Sequence, residues 1–182
     1  MRVQPCVAAL SMLVATSMVV AATPRQIENR KLAWADFQGA PETSRPFDAY
    51  TYWSVHYSYD APVQEGTGFR VHVQVWNQLD DRSWVKPYVA KDPKKEELLN
   101  HEQGHYTMGV LCALEFKQAA SGRLFGPQYH SEIRSLFDQI LGKYVALEKT
   151  YDAETRHMLD RVAQQAWDRR LALMVRERWA AR

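Results

Sequence analysis

Two histidines four residues apart flank a glutamate in His101-Glu102-Gln103-Gly104-His105. On a helix, positions i and i+4 share a face, so both imidazoles can reach one ion. Glu102 then lies beside that ion, where a carboxylate can accept a proton from a water the ion has acidified. Chance produces this pattern roughly 0.01 times in a chain of this composition. The bland alternative is a pair of surface histidines on a helix flank. Against it stand the apolar Leu98-Leu99 before the motif and the wholly apolar Met108–Leu114 run after it, which call for a buried helix. The chemistry this points to is metal-assisted hydrolysis. Zn²⁺ is the expected ion, because imidazole suits it and a catalytic zinc takes three protein ligands plus a water.

The third ligand is harder to place. A histidine six residues past His105 would give the extended metzincin motif, but that position is Leu111. Cys112 lies about 10 Å along the helix axis from His105, too far to join, and reads as a small buried apolar residue. His72 alternates with valines on the polar face of a strand, His56 sits in an aromatic strand, and His130 follows Pro127 in a loop. Each has a plainer role than ligation. Glu154 and His157 remain, in Tyr151-Asp152-Ala153-Glu154-Thr155-Arg156-His157. They are three apart on one helical face, so one can ligate while the other orients or stays idle. Spacing leaves the choice open. Tyr151 and Arg161 are candidate oxyanion donors, although a packing or surface role fits each better.

The elements that must position these residues follow from periodicity. Ala49 to Tyr59 is rich in Tyr, Trp, Val and Thr and reads as a strand. Gly66-Thr67-Gly68 is a turn, and Phe69, Val71, Val73 and Val75 then alternate with polar residues as a second strand. Ser83–Val89 is a further strand, at an edge because of Pro87. Arg25–Ala33 has the charge pattern of a short helix, and Trp34–Pro46 that of a loop. Asp92-Pro93 is a helix start and Gly122 a stop, so the motif lies on a helix ending near Ala120. A second helical stripe runs through Ile133, Phe137, Ile140, Tyr144 and Leu147. After a break near Thr150, a third carries Leu159, Val162, Ala166, Trp167, Leu171, Val175 and Trp179. The expected fold class is α+β and zincin-like, with a small N-terminal antiparallel sheet, a buried active-site helix and C-terminal helices.

Composition narrows the setting. The 182 residues carry 23 basic and 21 acidic side chains, a formal charge of +2. That balance excludes an ordinary nucleic-acid binder. Arg2 and the apolar run Val7–Val20, ending in Val20-Ala21-Ala22, form a signal peptide expected to be cleaved after residue 22. The run is short for a membrane span, so no stable membrane insertion is expected after cleavage. Residues 23–182 then form one domain, periplasmic or secreted. Cys6 departs with the signal, Cys112 is left as the lone thiol, and the domain must rely on its core or a metal for stability. The basic last helix, with its apolar stripe, is better docked on its own domain than on an anionic membrane.

Four blocks resemble a known family. Trp34-Ala35-Asp36-Phe37-Gln38-Gly39-Ala40-Pro41, Ser83-Trp84-Val85, Leu98-Leu99-Asn100-His101-Glu102-Gln103-Gly104-His105, and Tyr151–His157 with Gln164 and Trp167 are similar, in order, to those of a bacterial domain family of unknown function described as predicted secreted zinc-dependent proteases. The resemblance spans nearly the whole mature chain. It implies His101 and His105 as ligands, Glu102 as general base and His157, at the family's second histidine block, as third ligand. Tyr106 departs from the Phe frequent in the family. The reading for function is therefore a zinc peptidase of peptide or protein substrates. Two others stand beside it: a zinc amidase of cell-wall peptides, and a zinc-stabilised envelope module that binds without turnover. Oligomeric state is silent in the sequence.

Overall fold

The structure, a computed structural model, describes residues 26–180, so the expected signal peptide lies outside the described residues. Six short strands precede three helices: β1 (Ala49–Tyr50), β2 (Trp53–Tyr59), β3 (Val63–Glu65), β4 (Gly68–Arg70), β5 (Val73–Leu79), β6 (Trp84–Val85), α1 (Lys95–Ser121), α2 (Tyr129–Thr155) and α3 (Arg161–Ala180). The class is α+β. The strands form three antiparallel pairs, β1 with β6, β2 with β5 and β3 with β4. The longest pair runs in register from Trp53 opposite Leu79 to Tyr59 opposite Val73. Its buried face carries Val55, Val73 and Val75, which join one core with Met108–Leu114 of α1, Ile133, Ile140 and Tyr144 of α2, and Trp167 and Leu171 of α3. Each large apolar side chain wholly buried there contributes about 1.5–3 kcal/mol.

Two glycines let α1 sit this deep. A Cβ on Gly104 would fall 2.3 Å from the Tyr151 hydroxyl, and one on Gly109 would fall 2.9 Å from the Trp53 ring. The helix therefore accepts a neighbour from α2 on one side and from β2 on the other at close range.

Several boundaries differ from those the sequence suggests. Ala49–Tyr59 is broken at Thr51-Tyr52, where Thr51 turns its hydroxyl onto Glu102. The alternating run from Phe69 breaks at Val71-His72, dividing β4 from β5. Ser83–Val89 keeps only the two strand residues of β6, because Pro87 opens a 3-10 turn over Pro87–Lys91. Residues 26–33 form no helix and no strand. Side chains hold their backbone, with Asn77 Oδ1 accepting from the Glu28 amide (2.8 Å) and Gln103 Oε1 from the Leu32 amide (2.8 Å). Helix α1 begins at Lys95, with Asp92 Oδ1 accepting the Lys94 amide. The break expected near Thr150 comes at residues 156–160, leaving Leu159 in a turn. Leu159 and Val162 are exposed, while Trp167 and Leu171 of the same stripe are buried. Among the described residues no helix is long and apolar enough to cross a membrane.

Candidate metal centre

Helix α1 presents His101 and Glu102, 3% and 4% exposed, into a cleft of about 880 Å³. Its walls are the 46–53 segment, the start of α1, the end of α2 and the turn that follows it. Both imidazoles of the motif aim Nε2 at one atom. Asp152 Oδ1 lies 3.2 Å from His101 Nε2 and 3.0 Å from His105 Nε2. His157 approaches the same oxygen with Nδ1 at 3.5 Å. His101, Asp152 and His157 each place a ligand atom within 4.8 Å of the other two, a triad able to hold a metal ion.

The remaining ring nitrogens are also engaged. His105 Nδ1 donates to Glu148 Oε1 at 3.0 Å, and that carboxylate oxygen also accepts the Trp53 indole N–H at 2.6 Å. His101 Nδ1 donates to Gln164 Oε1 at 3.1 Å. Gln164, buried in α3, is held in turn by the Tyr151 hydroxyl and Asp168. Metal-ligating histidines characteristically donate their second N–H to a carboxylate or carbonyl, which fixes tautomer and ring plane. Glu102 Oε2 accepts the Thr51 hydroxyl at 2.6 Å. Its carboxylate is thereby oriented within the cleft, with its other oxygen in no hydrogen bond to described residues.

Electrostatics follow from this crowding. Burial would raise the Asp152 carboxyl, but the His101 and His105 imidazoles outweigh it and hold it well below the usual carboxylate range. Burial likewise opposes charge on His105, yet the hydrogen bonds to Asp152 and Glu148 prevail and push it up to about 10. Without a metal, the centre holds its histidine and carboxylate together as an ion pair. A cation has the same electrostatic place.

Three of these donors, His101, Asp152 and His157, lie close enough to share one ion, and His105 touches the same Asp152 oxygen. With metal–ligand bonds of about 2.0–2.1 Å, adjacent ligand atoms stand about 3.3 Å apart, and the Asp152 oxygen lies at 3.0, 3.2 and 3.5 Å from the three imidazole nitrogens. Imidazole nitrogen with carboxylate oxygen is zinc-type chemistry.

The other sequence candidates lie elsewhere. Glu154, weighed above as third ligand, turns away and accepts the Trp167 indole N–H at 2.7 Å. Tyr151 is fully buried, donates to the His101 carbonyl and accepts from Gln164, so it braces α1 and α2 and faces no substrate. Arg161 pairs with Glu97 at 3.2 Å. His56 bonds Ser54, His72 lies 3.2 Å from Asp60 and His130 contacts Tyr59. Cys112 is buried and its thiol is pushed up to about 12 by burial. Spacing missed Asp152 and Glu148. Their signal was present: they are four apart, hence on one face of α2, an acidic pair matching the i, i+4 histidines of α1.

His157 sits on unusual backbone. Arg156, His157 and Met158 have φ of 50°, 50° and 72°, three successive left-handed residues, none of them glycine. Each costs about 1–2 kcal/mol relative to ordinary backbone. The turn closes through His157 N–H to the Asp152 carbonyl (3.0 Å) and Asp160 N–H to the Thr155 carbonyl (2.8 Å). Asp160 then caps α3 through the Ala163 amide at 2.9 Å.

A family model described as a bacterial protein of unknown function (DUF922) matches residues 15–158. The chain belongs to that family. The match takes in both histidines of α1, Glu102, Asp152 and His157, and ends before α3. No curated protein and no solved structure matches the chain.

Proposed function

We propose that this DUF922 chain is an exported zinc-dependent peptidase. The observation that carries the reading is the convergence of the His101 and His105 Nε2 atoms on one point, with the Glu102 carboxylate in the same cleft. Bound zinc would polarise the scissile carbonyl and lower the pKa of an attacking water towards about 7. His101 and His105 would hold the ion together with donors from the Asp152–His157 segment. Glu102, aligned by Thr51, accepts the water proton and delivers it to the leaving amine. Gln164 and Glu148 keep the imidazole Nε2 atoms directed inward. Phe47, Tyr50, Trp53, Leu141 and Val145 line the cleft beside this centre, a surface suited to apolar side chains of a peptide. Tyr151 and Arg161 are engaged elsewhere and do not serve as oxyanion donors in this reading.

The test is cleavage of a peptide mixture by the zinc-loaded mature protein and by Glu102→Gln. Wild-type cleavage that falls by a factor of 10² or more in the variant, with zinc retained, supports the mechanism. Equal cleavage by both refutes it. A second reading, a zinc-stabilised module without turnover, is favoured by one observation: His101, Asp152 and His157 cluster with His105 against the same Asp152 oxygen, a crowding of protein donors like that of closed structural zinc sites. It expects chelation to lower Tm while neither protein nor cell-wall peptides are cut.

A further inference from the structure

We propose that the four donors divide into fixed and removable ligands. Asp152 is a permanent ligand with His101 and His105, whereas His157 closes the fourth position at rest and leaves it when substrate enters. The inference rests on the metal centre described above, and it reconciles four available donors with the open position catalysis needs.

Three observations carry it. First, the Asp152 oxygen touches both α1 histidines at 3.0 and 3.2 Å, while His157 stands farther off at 3.5 Å. Second, support differs. His101 and His105 are braced through Nδ1 by Gln164 and Glu148, and the Asp152 backbone belongs to the regular helix α2. The His157 side chain is 51% exposed, and its ring has Phe47, 5.0 Å between centroids, as an apolar neighbour. Third, His157 is the middle of three left-handed residues. Strained backbone persists only where surrounding contacts over-determine it, and metal ligation is such a contact. Withdrawal of His157 relaxes the turn, which offsets part of the lost bond. Withdrawal of Asp152, whose backbone is regular helix, has no such compensation.

The mouth of the cleft agrees with this division. Arg156, Met158 and Leu159 of the same turn line it, and Leu159 is 63% exposed. A peptide in the cleft therefore meets the turn that carries the removable ligand, so one movement admits substrate and vacates the fourth position.

The experiment uses the mature protein loaded with Co²⁺, whose visible spectrum reports coordination, and acetohydroxamate as an added ligand. A chelator competition gives zinc affinity in parallel. Asp152→Ala should lose zinc affinity by at least a hundredfold, as His101→Ala does, and His157→Ala by no more than about tenfold. Acetohydroxamate should bind Co²⁺-loaded His157→Ala at least tenfold more tightly than wild type, and free imidazole should restore the wild-type spectrum. Met158→Gly, which eases the turn while keeping His157, should weaken acetohydroxamate binding relative to wild type. Equal hydroxamate binding in wild type and His157→Ala overturns the proposal. So does zinc loss in His157→Ala as complete as in His101→Ala, or retained affinity in Asp152→Ala. A wild type that binds no metal overturns both this division and the peptidase reading. A centre behaving as described that cuts no peptide, even in His157→Ala with imidazole absent, sinks the peptidase reading alone.

Discussion

The two halves of the centre are built on opposite terms. On α1, His101 and Glu102 sit in a regular helix, almost wholly buried, and both motif histidines are hydrogen-bonded at each ring nitrogen. On the turn after α2, His157 is half exposed and its backbone is left-handed on both sides. The first half is rigid because its neighbours approach too closely to permit another arrangement. The second is held at a cost by the backbone hydrogen bonds that close the turn and by whatever it ligates. Rigid donors bind an ion, and a strained donor can exchange with substrate.

The largest expected effect tests the rigid half. Gly104 faces the Tyr151 hydroxyl, which is tied to the His101 carbonyl and to Gln164 and cannot retreat. Gly104→Ala should therefore destabilise the fold by about 1–3 kcal/mol, the cost of overpacking, and lower zinc content as His101 shifts. Urea unfolding and metal analysis of the purified variant would show it. A glycine-to-alanine change as mild as that on an open helix face, with zinc kept, would mean the two helices are not so tightly engaged.

Next come the residues behind the histidines. Removing an outer-shell partner typically costs 10–100-fold in metal affinity. Glu148→Ala should fall in that range and should also loosen Trp53, whose indole it holds. Gln164→Ala should do the same for His101. Equal zinc affinity in wild type and both variants would show that the imidazoles are oriented by packing alone.

A pH titration of the metal-free protein sharpens the comparison further. Asp152 is depressed in the folded state, so its contribution is present above the ordinary carboxylate value near ~4 and is lost as pH falls. His105 is raised to about 10, so its contribution is complete below its ordinary value near ~6.5 and is lost as pH rises through 10. Tm of the metal-free protein should therefore peak between those two ordinary values and decline on either side. Asp152→Asn should flatten both limbs. A wild-type Tm that climbs steadily from pH 6 to 9 would contradict the pairing.

The sequence made the rigid half legible and left the other half obscure, for physical reasons. A pair at i, i+4 on an apolar helix has one geometry, so His101, Glu102 and His105 could be placed without knowing the rest of the chain. The strand alternation of Val73 and Val75 and the buried Met108–Leu114 run were equally direct. The region from Thr150 to Asp160 offered no such rule. No glycine or proline marks the end of α2 there, and three ordinary residues take positive φ. The i, i+3 relation between Glu154 and His157 therefore did not apply, because His157 lies beyond the helix. Resemblance to a family drew attention to His157, and the fold brings it to the centre by a turn that periodicity could not anticipate. Thr51 escaped for a similar reason: it reads as one strand residue among many, yet the strand breaks where its hydroxyl meets Glu102.

The smallest expected effect isolates the turn itself. Arg156 is exposed, ends α2 in the left-handed region with φ of 50°, and makes no ion pair among the described residues. Glycine is the residue such a C-terminal cap favours. Arg156→Gly removes about 1–2 kcal/mol of backbone strain and restores about 0.5–1 kcal/mol of unfolded-chain entropy. The net should be a gain of roughly 0.5–1 kcal/mol, a rise of a few degrees in Tm for a domain of this size. The gain should be larger in the loaded protein, where ligation of His157 holds the turn in its strained form, than in the metal-free one, where the turn can relax. A loss of stability in both forms would mean that the Arg156 side chain contributes more to the closed turn than its conformation costs. The turn would then be a well-supported cap, and the contrast with α1 would rest on the exposure of His157 alone.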